Sequence, residues 1–204
     1  MVSFLLKGGV LVIPIGLCSV VALAVFLERW LFFARLRTHD NGLVEALCKT
    51  AHEQQVPRDT DRSGHTRSAL GRLLTEVLSV QNCDEPTQQA AIREAYALES
   101  RLLASRLQLL ATIGNIAPLL GLLGTITGMI KAFMVIQQTG GKVDAAALAG
   151  GIWEAMLTTA LGLAVALPVM VAHSYLVTRK ESQEAYLKRG MVRFLKELKG
   201  TGAP

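Results

Sequence analysis

Three long uncharged blocks divide the chain. Residues 8–27 and 107–130 contain no Asp, Glu, Lys or Arg, and residues 145–178 contain Glu154 alone. Each block reaches the roughly 20 residues that an α-helix needs to cross a bilayer. Soluble helices of this length need a polar face to meet water, and these blocks have no charged face. The pattern predicts an all-α integral membrane protein with three transmembrane helices.

A cleaved signal peptide is the main alternative for the first block, because Ala22-Leu23-Ala24 has the small-x-small pattern of a cleavage site. The apolar run continues past this triplet to Leu27, and Glu28-Arg29-Trp30 follows directly. A charged and aromatic group at this place is typical of the membrane interface. We therefore favour a retained first span.

Basic residues are unevenly distributed between the segments that flank the blocks. Residues 28–106 contain eleven Lys and Arg and residues 179–204 contain seven, whereas Lys7, Lys131 and Lys142 are the only others. Positively charged segments stay on the cytoplasmic side, so we predict an N-out/C-in topology. This topology also accounts for the net charge of +5, and nucleic-acid binding is not needed to explain it.

Long cytoplasmic helical extensions are predicted on both sides of a loop at residues 56–65. Apolar residues recur at helical spacing in residues 41–55 and 68–80. Asp84 is a suitable N-cap, with Glu85 and Pro86 in the first turn, and no helix breaker follows before Gly114. The second span is therefore expected to continue an unbroken cytoplasmic helix, and the third to continue into the tail, where Gly190 weakens the helical pattern.

Glu154 is the most informative residue of the chain. A carboxylate within a span costs several kcal/mol unless it faces a cavity, a partner or another subunit, and such residues commonly lie on ion pathways. We therefore interpret Glu154 as a candidate proton carrier. Two alternatives stay open: a neutral Glu154 that hydrogen-bonds a neighbouring helix, and a third span that begins only after it.

Hydroxyl groups accompany this carboxylate. Thr158 lies one helical turn after Glu154 on the same face, whereas Thr159 is rotated by about 140°. Thr125 lies among glycines in the second span. A hydroxyl both donates and accepts hydrogen bonds, so these residues are candidates for a proton path. The alternative for each threonine is a bond to a carbonyl of its own helix.

Small residues and prolines indicate how the spans pack. Gly124 and Gly128 form a GxxxG pair, and Gly121 and Gly162 belong to similar pairs of small residues, which favour close helix contact. Pro118 and Pro168 lie within the second and third spans, where each is expected to kink its helix. No phosphate-binding loop, nucleophile elbow or paired metal-ligand spacing is present. We expect neither an enzyme nor a metal site.

Two motifs carry a resemblance to a known family. Residues 122–128 (LLGTITG) and 152–163 (IWEAMLTTALGL) resemble the paired signature of the ExbB and TolQ proteins, within the MotA/TolQ/ExbB proton channel family. The resemblance covers about residues 100–180, and the three-span pattern agrees with it along the chain. The four-span MotA type fits less well because the chain has no fourth apolar block.

The resemblance implies a homo-oligomeric ring, in the family a pentamer, in the bacterial inner membrane and in contact with its lipids. Single-span partners of the ExbD/TolR type would supply an aspartate, and protons would be the coupling ion, with no other cofactor. The family's functional residues correspond to Thr125, Glu154 and Thr159, while Thr158 stands where relatives often have Ala. Whether Glu154 carries the proton or tunes the electrostatics stays open, as does a role for sodium.

On this topology the chain has seven segments. They are a periplasmic N-terminus (1–8), span one (9–34), cytoplasmic helices and loop (35–84), a long helix with span two (85–136), a periplasmic loop (137–144), span three (145–178) and a cytoplasmic helix and tail (179–204). The leading hypothesis is a motor subunit that energises a TonB-like protein for nutrient import. The alternatives are a TolQ-type subunit that acts through a TolA-like protein in envelope integrity and division, and a passive membrane scaffold.

Overall fold

The computed structural model describes residues 10–39, 69–80, 83–138 and 145–200, and the regular secondary structure of these residues is entirely helical. The helices are α1 (Val12–His39), α2 (Ala69–Ser79), α3 (Glu85–Ala104), α4 (Leu107–Gln138) and α5 (Ala145–Gly200). The helix predicted at residues 41–55, the loop at 56–65 and most of the loop at 137–144 lie outside the described residues.

Within the described parts of the chain, three stretches are long and apolar enough to cross a membrane: Val12–Leu36, Glu85–Gln138 and Leu148–Lys196. They confirm the prediction of an all-α membrane protein with three spans. The orientation, with the N-terminus outside, stays a prediction that follows from the distribution of Lys and Arg.

The helix that leads into the second span is interrupted, because α3 ends at Ala104 and α4 begins at Leu107. The expectation of an unbroken helix is therefore wrong. Ser105 has an extended ψ of 141°, and Arg106 has a left-handed φ of 64°. Arg29 of α1 donates to the carbonyl of Leu102 at 3.3 Å and to the hydroxyl of Ser105, which satisfies groups that the end of α3 leaves open. These bonds join residues more than 70 positions apart. No local sequence pattern reveals such an interruption.

The start of α3 matches its prediction. Asp84 is the N-cap, its carboxylate accepts from the amide and hydroxyl of Thr87, and Pro86 lies in the first turn. This arrangement satisfies an amide that the first turn would otherwise leave unpaired.

The chain forms two compact units. The first comprises residues 1–28 and 106–175, and the second comprises residues 29–105 and 176–204. α1 and α5 each contribute to both units.

The second unit has an apolar core between α2, α3 and α5. The amphipathic α2 confirms the helix predicted near residues 68–80. Gly190 does not end α5, and a side chain there would approach Leu70 Cδ1 to 2.8 Å, so its lack of a side chain admits α2. The largest fully buried side chains of this unit are Leu70, Leu73, Leu74, Leu103, Leu176, Leu187 and Phe194.

Candidate functional site

A close seam between α4 and α5 forms the centre of the first unit. The two helices run antiparallel, since Gly121 lies beside Thr159 while Gly128, further along α4, lies beside Ala155. A Cβ on Gly121 would lie 3.0 Å from Thr159 Cα, and one on Gly128 would lie 2.8 Å from Ala155 Cβ. Glycines therefore bring the backbones into contact, as small residues do in membrane helices.

The seam extends in both directions from these contacts. A Cβ on Gly162 would lie 2.7 Å from the carbonyl oxygen of Ala117, and one on Gly151 would lie 2.8 Å from Ala132 Cβ. Pro118 and Pro168 lie inside helices that continue past them. Pro118 follows Ala117, which contacts Gly162, and it has no N–H. The backbone carbonyl four residues before Pro118 therefore lacks its usual helical hydrogen-bond partner.

Thr158 fills the middle of the seam. Its side chain is 2% exposed and packs on Gly124, where a Cβ would lie 2.6 Å from Thr158 Cβ. Its hydroxyl donates to carbonyls of its own helix, at 2.7 Å from Ala155 O and 3.2 Å from Glu154 O. The oxygen of Thr158 thus lies between the Glu154 turn of α5 and the glycines of α4.

Thr159 makes a hydrogen bond across the seam. Its hydroxyl donates to the carbonyl oxygen of Gly121 at 2.8 Å. The bond joins the two helices at a place where their backbones are in close contact, which is possible because Gly121 has no side chain. Thr159 is therefore a helix-joining residue, and its oxygen keeps lone pairs with which to accept a further bond.

Thr125 and Thr127 bond within α4. The Thr125 hydroxyl donates to Leu122 O at 2.7 Å, and the Thr127 hydroxyl donates to Leu123 O at 3.0 Å. Both are partly accessible. Because Thr125 directly follows Gly124, it lies close to the level of Thr158 along the seam. The alternative considered for each threonine is a hydrogen bond to a carbonyl of its own helix. The Thr125 hydroxyl makes such a bond as a donor.

Glu154 lies at the edge of the seam and is paired with a cation. Lys131 Nζ of α4 is 3.4 Å from Glu154 Oε1, and their side chains are 60% and 30% exposed. The carboxylate thus has a partner on the neighbouring helix. Ala155, the next residue, packs on Gly128, which fixes the height of Glu154 relative to α4.

Lys131 is the residue of this site that sequence reasoning missed. The predicted long helix (85–136) contains Lys131, but its charge enters only the topology prediction, whereas the structure holds it beside Glu154 of the third span. A signal was present in the sequence. If Gly128 packs on α5 near Glu154, a lysine three residues later on the same helix face lies within reach of that carboxylate.

The chain matches a protein-family model and several known proteins. The model of the MotA/TolQ/ExbB proton channel family matches residues 61–189. The chain belongs to this family. An ExbB-like biopolymer transport protein of Synechocystis is 35% identical over 89% of this chain and 72% of its own length. The biopolymer transport protein ExbB of Vibrio cholerae is 31% identical over 79% of this chain and 72% of its own length, and that of Salmonella typhimurium is 30% identical over 84% and 73%.

Membership identifies the chain as a membrane-embedded proton-channel subunit of the biopolymer-transport type. Proteins of this family work in complexes with other proteins. The matched region contains α2, α3, α4 and most of α5, so it includes the whole α4/α5 seam. The seam is thus the part of the chain in which a proton pathway is to be sought.

Proposed function

We propose that this chain is the channel subunit of an inner-membrane motor that uses the proton motive force to energise a TonB-like protein for nutrient import through the outer membrane. The observation that carries the proposal is the position of Glu154. It is a carboxylate within an apolar span, at the edge of a glycine-lined helix seam and 3.4 Å from a lysine. Placing a charge there has a free-energy cost that packing alone does not explain.

In the proposed mechanism, several copies form a ring around single-span partners of the ExbD/TolR type, and α4 and α5 line its interior. Both helices carry exposed apolar side chains that suit such a wall, including Leu122, Ile126, Met156 and Leu163. An ionised carboxylate of the partner is costly against this wall. A proton from the outer side neutralises it, permits movement along the ring and leaves on the inner side.

Glu154 and the threonines have distinct parts in this scheme. The Thr125 and Thr159 oxygens accept hydrogen bonds from water along the route while their hydroxyls donate to backbone carbonyls. Thr158 keeps the seam closed. Glu154 exchanges a proton or sets the local field, and Lys131 holds its carboxylate towards α4.

The test is energy-dependent uptake of an iron–siderophore complex. Cells that lack their own energising proteins receive this chain and its single-span partner, as wild type or as Glu154→Gln. We expect uptake by the wild type and none by the variant at equal membrane levels, because the amide keeps the size of the side chain but cannot ionise.

Each other outcome has a definite meaning. Uptake that survives Glu154→Gln would reduce Glu154 to a packing residue and favour a passive scaffold. A wild-type pair that assembles but supports no uptake would contradict import. In that case, restored detergent resistance and division in cells without the Tol motor would identify the TolQ-type function.

A further inference from the structure

Within the second unit, α3 has two apolar stripes, and only one of them is covered by the residues that the structure describes. Leu103 is 1% exposed in the core. On another side of the helix, Leu98 and Leu102 are 55% and 52% exposed, in line with the partly accessible Ala91 and Ala95. Their spacing of four, three and four residues is the spacing by which a helix receives a second helix.

Charges mark the ends of this uncovered stripe. Glu94 is exposed at its beginning and Arg101 near its end, on the same side of α3 as Leu98. With Glu76 of α2, Glu94 and Leu98 line a groove between the two helices. We call the surface of Glu94, Leu98, Arg101 and Leu102 the α3 face.

α5 carries a surface of complementary pattern in the same unit. Val192 is 43% exposed, and Lys188 and Lys196 lie one turn before and after it, both exposed. Glu181 is exposed seven residues before Lys188 and therefore on the same side. We call the surface of Glu181, Lys188, Val192 and Lys196 the α5 face.

The two faces also match in register. The Ser100 hydroxyl donates to the Glu184 carboxylate, which sets the level of α3 against α5 within the unit. The chain leaves this unit at the end of α3 and enters it again at Leu176 of α5, so the two helices run in opposite directions. Glu94 is therefore level with Lys188, and Arg101 with Glu181, each to within about 3 Å at 1.5 Å per residue.

We propose that the α3 face of one copy binds the α5 face of a second copy. The inference deepens the proposed function and rests on it for a ring of equal copies in the membrane. In such a ring the axis is normal to the bilayer, so equivalent residues of neighbouring copies lie at equal height. Glu94 then meets Lys188, Arg101 meets Glu181, and Leu98 is covered between them.

This contact is compatible with a ring. The two faces are different surfaces, so each copy uses one towards each neighbour. A head-to-tail contact of this kind closes into a ring where the rotation between copies permits it, whereas a two-fold dimer uses one surface twice. In this pairing, an acidic group of one copy meets a basic group of the other at each end of the stripe. A reversed or shifted pairing of the two faces would bring like charges together and is therefore disfavoured.

Disulfide formation between two differently tagged copies tests the proposal. In a version with Cys18, Cys48 and Cys83 replaced by Ser, one tag carries Glu94→Cys and the other Lys188→Cys, and both are produced in one membrane and mildly oxidised. A second pair combines Arg101→Cys with Glu181→Cys. The matched control replaces Glu94→Cys with Gln89→Cys, which is also exposed on α3 but points about 140° away at 100° per residue.

We expect both pairs to give a linked species that carries both tags, at about ten times the yield of the control. No two-tag species from either pair, or equal yield from Gln89→Cys, would overturn the proposal. A larger species with one tag would mean that the face pairs with itself or with another protein, and would overturn the proposal too.

Charge reversal provides an independent test that does not require cysteine. Glu94→Lys and Lys188→Glu should each shift the purified assembly towards smaller species, and the double variant should restore it. A double variant no better than either single variant would contradict the pairing. Linked copies without iron uptake would reject the proposed import function and leave this contact standing, whereas uptake by a protein whose faces never link would reject the contact alone.

Discussion

Lys131 and Glu154 face each other across the α4/α5 seam, with 3.4 Å between Nζ and Oε1. Lys131→Met removes the group that holds the carboxylate towards α4, so we expect slower iron–siderophore uptake at equal membrane levels. If the lysine acts through Glu154, Lys131→Met should shift the unfolding midpoint of the wild type but not that of Glu154→Gln, in which uptake is already lost. Lys131→Arg, which keeps the charge, serves as the control. Equal shifts of the midpoint in both backgrounds would show that Lys131 acts elsewhere.

Alanine substitutions of the neighbouring Gly150 and Gly151 test the close contact along the seam. A side chain on Gly151 would approach Ala132 Cβ to 2.8 Å, whereas nothing lies within 4 Å of one on Gly150. Gly151→Ala should lower the stability of the helix pair by about 1–3 kcal/mol through overpacking. Gly150→Ala should be neutral or stabilise α5 by up to about 1 kcal/mol. Thermal unfolding of the detergent-purified proteins measures both, and equal midpoints would contradict the close contact.

Variants of Thr159 and Thr125 distinguish a role in helix packing from a role in proton passage. Thr159→Val removes the bond to Gly121 O and should cost about 0.6 kcal/mol and no more than about 1.7 kcal/mol, the average and the maximum for hydrogen bonds between membrane helices. Thr159→Ser keeps the hydroxyl and should restore the unfolding midpoint. Thr125→Val breaks only a bond to its own helix, so it should slow uptake with little change in the midpoint. A large loss of stability from Thr125→Val would assign it to packing.

Arg72 and Glu99 test the core of the second unit. Arg72 binds Glu99 with two hydrogen bonds of 2.7 Å, and the Glu99 side chain is 9% exposed. Arg72→Met leaves this carboxylate buried without its partner. Since Arg72 is itself 41% exposed, solvent reduces the cost, and we expect a loss of about 1–3 kcal/mol. Arg93→Met, which neutralises an exposed charge on α3, should change the unfolding midpoint little.

The long-range fold follows from local sequence rules to a large extent. Uncharged length predicted the three spans, and the cap at Asp84 predicted the start of α3, because both depend on residues close together in sequence. The interruption at Ser105 and Arg106 did not follow, because the partner that stabilises it is Arg29, far away in the chain. A backbone break without Gly or Pro is visible only when its tertiary contacts are known.

The candidate site, like the fold, could be predicted from the sequence only in part. Glu154 was found from its cost within a span, and the glycines were found from their spacing. The role of Thr159 as a bond across the seam, and the pairing of Glu154 with Lys131, depend on the register of α4 against α5. That register is set by which glycine meets which residue, and the sequence contains several small pairs that offer different answers.

Asp84 predicts a pH dependence at the start of α3. The hydrogen bond from the Thr87 hydroxyl lowers the pKa of Asp84 below its ordinary value. A carboxylate with a lowered pKa in the folded state contributes stability above its unfolded pKa, and this contribution is lost as the pH falls through the lower, folded value. The amides of residues 87–90 should therefore exchange hydrogen faster, relative to the intrinsic rate, below about pH 4, the ordinary pKa of Asp. Asp84→Asn keeps an acceptor without a charge, so its protection should not change over this range. An equal loss of protection in both proteins would mean that another group controls the unfolding of this turn.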